Sequence, residues 1–234
     1  MTYTPVVYDW RSTVQPVNQI FFAGGVAQDG GATVGGVSVE SPEPGGLGEL
    51  RMEFAPFANA DSNLDASWLA SRMLNGSVFR IRLFSPSVQL LSDTALGGNT
   101  AVGVTWSNGL GWSGNVNWAF DPSSPITATR DKGEATFRYN DSEFGRVLKI
   151  GHVVGFHLNG YDFCHTVVDI SYPTANRTEV TIQPPLRRAL TTNDRVTFRP
   201  IMTAVCVNAR DVVGNLRFGT SLNFNPAHFV EALV

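Results

Sequence analysis

The chain has 234 residues, 43% hydrophobic and 11% aromatic, enough to bury the core of one large or two small domains and too apolar for disorder over most of its length. Only 16% are charged, against roughly 25% in an ordinary soluble protein, and 17 basic against 20 acidic side chains leave a net charge of -3. No basic run marks a nucleic-acid binder, no apolar stretch reaches the roughly 20 residues that cross a bilayer, and Met1 to Pro5 lacks the basic and apolar regions of a signal peptide, so synthesis and retention in the cytosol are expected.

Along the chain, Gly-Gly pairs at 24–25, 30–31, 35–36, 45–46 and 97–98 separate stretches rich in Val, Phe and Thr, the pattern of short strands joined by turns. A mainly β fold of sandwich or barrel type is expected. Leu50, Met52 and Phe54 alternate with Arg51 and Glu53, placing an apolar face on a core and a charged face outward. Next comes a predicted helix over 62–75. Ser62 and Asp65 resemble a capping box, Leu64, Trp68, Leu69 and Met73 fall on neighbouring turns, and Asn75-Gly76 offers a left-handed stop. Trp68 is expected to pin that helix to a sheet. A second alternating strand follows, with Phe79, Ile81 and Leu83 opposite Arg80 and Arg82.

The stretch 91–126, with Gly, Asn, Ser and three Trp, reads as long loops that cover or link two β units. The chain is accordingly divided into an N-terminal β-sandwich-like domain with its flanking helix, 1–126, and a C-terminal β domain, 127–234. In the second unit, Val153 to Leu158 and Tyr161 to Ile170 flank Asn159-Gly160, a pair that tolerates the positive φ angles of a type I′ hairpin turn. Strands are predicted at Glu179 to Gln183 and Val196 to Arg199. They bracket Pro184-Pro185-Leu186-Arg187-Arg188, whose prolines cannot donate to a ladder.

Chemistry-bearing residues are sparse. Cys164 and Cys206 sit in apolar runs and read as buried small hydrophobes, since two thiols supply neither a four-thiolate cluster nor a zinc site. His152, His157 and His165 share the hairpin region, but strand alternation does not bring the first two together, and adjacent Cys164 and His165 point to opposite faces. There is no nucleophile elbow, HExxH helix, P-loop or dinucleotide-binding turn. Asp61, Asp65, Asp162 and Asp169 are the carboxylates a glycosidase would draw on, yet the first two suit a helix N-terminus and Asp162 a turn. No catalytic, metal or cofactor residue is assigned, and an enzyme is not expected. Trp106, Trp112 and Trp118 could stack on sugar rings, which keeps a carbohydrate-binding module, beside a cell-wall-degrading enzyme, as the reading from another class.

Taken in order, the segments resemble a known family: the tail-tip proteins of long, non-contractile-tailed bacteriophages (siphophages) and related gene-transfer particles. The likeness is carried by Gln19-Ile20-Phe21-Phe22, by the run from Trp68 to Gly76 leading straight into Phe79-Arg80-Ile81-Arg82-Leu83, and by Leu148-Lys149-Ile150-Gly151-His152, with His where the family's Leu-X-X-Gly-Asp turn has Asp. Val180-Thr181-Ile182-Gln183-Pro184-Pro185-Leu186-Arg187, Phe198-Arg199-Pro200 and the end from Phe224 to Leu233 complete it. The resemblance implies a structural virion protein of the distal tail type: a β-sandwich with a flanking helix, assembled as a homohexameric ring between tail tube and central hub around the DNA channel. It further implies tail-tube, hub and tape-measure proteins as neighbours, the virion as location after synthesis in the host cytoplasm, and no catalytic residues. A hub or tube subunit is the alternative within that class.

Composition agrees with an assembling protein. The basic residues are 15 Arg and only Lys132 and Lys149, and Arg is enriched at interfaces where Lys is depleted. Arg80, Arg82, Arg187 and Arg188 are the interface candidates; the prolines before Arg187 and Arg188 limit the freedom lost on pairing with a neighbour. Charge reversal at Arg187 is expected to weaken assembly without unfolding the subunit.

Overall fold

A computed structural model of the chain describes residues 6–24, 28–32, 38–41, 46–57, 59–83, 89–92, 95–96, 122–158, 160–213 and 223–232. In chain order the strands are β1 (Val7–Asp9), β2 (Pro16–Phe22), β3 (Gln28–Ala32), β4 (Ser38–Ser41), β5 (Glu49–Phe54), β6 (Val78–Arg82), β7 (Ser123–Pro125), β8 (Thr136–Asn140), β9 (Val153–Leu158), β10 (Tyr161–Thr174), β11 (Arg177–Gln183), β12 (Arg195–Thr197), β13 (Ile201–Cys206) and β14 (Ala227–Glu231). Two helices join them, α1 (Ala60–Leu74) and α2 (Ala209–Val213). The protein is mainly β, as expected, with two six-stranded sheets and a separate β3–β4 pair.

Alternation in β5 and β6 does what their sequences imply. Leu50, Met52, Phe79, Ile81 and Leu83 are buried, whereas Arg51, Glu53 and Arg82 are exposed. Both strands belong to the first sheet, ordered β1-β6-β13-β14-β5-β2, in which β1 runs parallel to β6 and the other pairs are antiparallel. Helix α1 packs Ala66, Leu69, Ala70 and Met73 into the same core, and Trp10 fills it against Phe54, Phe79 and Phe229.

The helix starts earlier than its expected span. Asn59, not Ser62, is the cap: its side-chain oxygen accepts from the Ser62 amide at 2.7 Å. Asp65 instead faces Arg11, 3.7 Å away. At the other end the left-handed stop is as read: Gly76 has φ 67°, its amide donates to Met73 and that of Ser77 to Arg72, so two orphan carbonyls are satisfied. Leu64, expected on the packed face, is 70% exposed. Trp68 is half-buried, edge-on to Tyr8, with Arg11 and Arg72 over its ring.

The second sheet is built from a contiguous stretch and ordered β7-β12-β9-β10-β11-β8. It curls until its two edge strands meet: Ile126 bridges Tyr139, and the Thr127 amide donates to the Arg138 carbonyl at 2.9 Å. Closure removes one pair of open edges and encloses Phe137, Tyr139, Phe156, Phe163, Val180, Ile182, Val196 and Phe198. The predicted hairpin is β9–β10, with Gly160 at φ 84°; Asn159 lies outside the described residues. The peptide bond before Pro184 is cis, and Leu186 and Leu190 close one end of the barrel by bonding to Glu134, Gly133 and Arg130.

The division at 126 matches only the start of the second sheet. After β12 the chain returns, and β13 and β14 complete the first sheet between β6 and β5, so 127–234 is not one unit. Antiparallel pairing of β13 with β6 and of β14 with β5 comes from residues more than a hundred positions apart, a relation no local pattern encodes. The sheets meet where β9 and β10 lie on β13. There Val153 and Cys164 join the first core, and a Cβ on Gly155 would come within 2.9 Å of Pro200 Cβ, which is why glycine stands there.

Candidate functional site

Arg80 and Arg82 lie on the face of β6 turned away from Phe79 and Ile81, because successive side chains of a strand alternate. Opposite them the β9–β10 hairpin presents His157 and Asp162, the latter beside the turn as read from sequence, but buried. Its carboxylate accepts from Arg80 Nε at 2.7 Å through Oδ2 and meets His157 Nδ1 at 2.8 Å through Oδ1, while its amide donates to Thr203 Oγ1 on β13. Asp9 adds a second carboxylate 3.8 Å from Arg80. The hydrogen bond to Asp162, ahead of the Coulomb attraction of the two carboxylates, holds Arg80 charged above the ordinary arginine range in spite of its partial burial.

Around this ion pair two adjoining cavities open along the seam, about 600 Å³ and about 460 Å³ in volume, sharing Arg80, Arg82, Arg199 and Ile201. Their walls carry five guanidinium groups, from Arg11, Arg80, Arg82, Arg195 and Arg199, against the carboxylates of Asp9, Asp162 and Asp194. Trp10, Val14, Leu83, Phe156 and Ile201 supply an apolar floor. Arg195 donates to the hydroxyl and carbonyl of Ser123, and Arg199 to the carbonyls of Leu91 and Phe198. The Arg82 side chain is exposed and has no hydrogen bond or ion pair among the described residues. A cleft so lined is suited to bind anions. His157 pairs with Asp162, and among the described residues no serine, threonine or cysteine bonds to it.

The interface candidates therefore part company. Arg82 faces solvent in the cleft, Arg80 is committed to Asp162, and Arg188 stacks over Tyr161 with its guanidinium 5.3 Å from the ring centroid. Arg187 turns inward: Nε lies 2.9 Å from Glu231 Oε2, Nη2 donates to the Gly46 carbonyl, and the two side chains are only 11% and 1% exposed. The proline-bounded arginine pair is thus split, one half clamping the barrel to β14. Burial pushes the Glu231 carboxyl up, against the pull of Arg187 and the Gly48 amide. Charge reversal at Arg187 would place two carboxylates in one dry site, so it strikes folding first, contrary to the sequence expectation.

The other histidines have structural partners. His152 Nδ1 accepts from the Lys149 amide at 3.1 Å, closing the Leu-X-X-Gly turn as an aspartate at that place could, with Gly151 at φ 90°. His165 is buried in the barrel against Phe156 and donates from Nδ1 to the Pro184 carbonyl at 2.7 Å; burial lowers its pKa to about 4 and keeps it neutral. Cys164, on the opposite face of β10, is buried with its thiol pushed well up. Asp169 accepts from the Ile170 amide, and Asp61 lies in the first turn of α1. Trp106, Trp112 and Trp118 lie outside the described residues. Among the described residues no three His, Cys, Asp or Glu side chains gather to hold a metal, and no helix is long and apolar enough to cross a membrane.

No protein-family model matches the chain, and no curated protein matches it.

Proposed function

We propose that the protein is a structural subunit of a phage tail tip, a distal tail protein whose copies close into a ring of six between the tail tube and the hub, around the DNA channel. The order of motifs along most of the chain supports this reading, as does a surface with few charges. The observation that carries it is the outer half of β10. Strand β9 pairs with Tyr161 to Thr166 only, so beyond Val167 the strand pairs with β11 alone, through Asp169 to Ser171 and Thr174 with irregularities at Val168 and at Tyr172-Pro173, and has no strand on its other side among the described residues. This arm exposes Val168 and Tyr172, both 43% accessible, with Ile150 beside its root at 66%. An open strand edge with exposed apolar side chains is a template for pairing with another chain, and repetition of one such heterologous contact among identical subunits closes a ring. The slight excess of acid over base suits a conduit that must repel rather than hold DNA phosphates.

Sedimentation velocity and negative-stain imaging of the purified protein test this. A closed ring of sixfold order is expected; threefold order points to a hub, and a stable monomer through the micromolar range, with no association with tail-tube protein, overturns the assignment.

A further inference from the structure

The geometry points to the arginine-lined cleft as a docking groove for an extended acidic peptide segment of a partner protein, a binding site that stands independently of the ring assignment. Three features meet there. Among the described residues the exposed Arg82 side chain makes no hydrogen bond or ion pair and that of Arg195 bonds only the neutral oxygens of Ser123, so both guanidinium forks can take a carboxylate without giving up an internal ion pair there. The walls carry an excess of positive charge on a chain whose net charge is -3, a local inversion that selects for acid. The floor of Trp10, Leu83, Phe156 and Ile201 is apolar, so the ligand must alternate charge with hydrophobicity.

An extended peptide does this by construction. Alternate side chains lie about 7 Å apart on one face, with the residues between them turned the other way. Nucleic acid fits less well: its unbroken row of phosphates would run into Asp9, Asp162 and Asp194, whereas a peptide can place apolar residues or donors there. The two cavities, about 600 Å³ and about 460 Å³, have room for several side chains.

Fluorescence anisotropy with a labelled octapeptide of alternating Glu and Val tests the site on the full chain, beside the same peptide with Gln for Glu and a twelve-nucleotide oligothymidylate. Saturable binding of the Glu peptide is expected, about tenfold weaker for the Gln peptide and about tenfold weaker again for Arg82→Glu. The Arg82 side chain makes no hydrogen bond or ion pair among the described residues, so that reversal leaves the thermal melt unchanged; Arg195→Gln gives a second, smaller loss, and reversal of exposed Arg210 on α2, Arg210→Glu, none. Absence of saturable binding, binding indifferent to both cleft variants, or displacement of the peptide by oligothymidylate at equal concentration overturns the proposal. Sedimentation of the same samples separates the two readings: ring formation without peptide binding sinks only the groove, and peptide binding by a monomer sinks only the ring.

Discussion

The helix-bearing first sheet and the barrel bury cores of similar character by opposite routes. The barrel draws all six strands from a contiguous stretch, 123–197, and shields its strand edges by meeting itself at Ile126 and Tyr139. The first sheet takes β1, β2, β5 and β6 from one end of the chain and β13 and β14 from the other, with the barrel inserted between. One region can therefore close within its own stretch, starting from the β9–β10 and β10–β11 hairpins. The other cannot be complete until the barrel has brought β13 back beside β6, which makes the seam between them the place where a subunit of this architecture is held together.

The largest effect is expected on that seam. Arg187→Ala leaves Glu231 buried, with its Oε2 deprived of its cation and Oε1 already without a hydrogen-bond partner among the described residues, and it releases the Gly46 carbonyl. Breaking a buried pair from one side costs about 3–5 kcal/mol, a large share of the stability of a domain. Denaturant unfolding should show this loss, and hydrogen exchange should show protection falling in β14 and in the 184–190 segment together. Protection lost from the barrel alone would mean that the two regions are energetically separate.

Neither partner of that clamp was legible as one. Pro184-Pro185-Leu186-Arg187-Arg188 is conspicuous in the sequence, but which arginine faces inward depends on Glu231, 44 residues away and in another sheet. Asp162 is a similar case: beside an Asn-Gly turn it looks like an ordinary turn residue, and its role follows only from Arg80, which reaches it across 82 positions. What was legible is what strand and helix periodicity encode locally: the faces of β5 and β6, the β9–β10 hairpin, the body of α1 and its Gly76 stop. β8, β13 and the short α2 are not among the expected elements: Ile201–Cys206 lacks clean alternation, whereas Thr136–Asn140 alternates, with Phe137 and Tyr139 buried between half-buried Thr136, Arg138 and Asn140, and was legible.

A probe of the barrel alone is the pH dependence carried by His165. In the folded chain its pKa is lowered to about 4 from an ordinary 6.5. Between those values the unfolded chain takes up a proton that the folded one refuses, so stability falls as pH drops from about 6.5 to about 4, by about 3 kcal/mol when complete. Glu231, raised in the folded state, works in the opposite sense, so the effect is isolated by comparing wild type with His165→Gln, which keeps a donor for the Pro184 carbonyl but does not titrate. The variant should lose the acid-side decline in urea midpoints between pH 7 and pH 4.5. An undiminished slope would show that His165 is not the group responsible.

The smallest effect belongs to the first sheet alone. Asn59 satisfies the Ser62 amide at the start of α1 and makes no other side-chain hydrogen bond among the described residues, so Asn59→Ala should cost about 1 kcal/mol, the usual worth of a cap. Asn59→Ser should recover most of it, because a hydroxyl at that place accepts the same bond. The loss should speed exchange in the first turn of α1 and leave the amides of β9 and β10 untouched, since those are held by the barrel's own ladder. Faster exchange in the hairpin as well would mean that the helix supports the seam through β13, and the contrast between a self-closing barrel and a sheet that depends on it would then run in both directions.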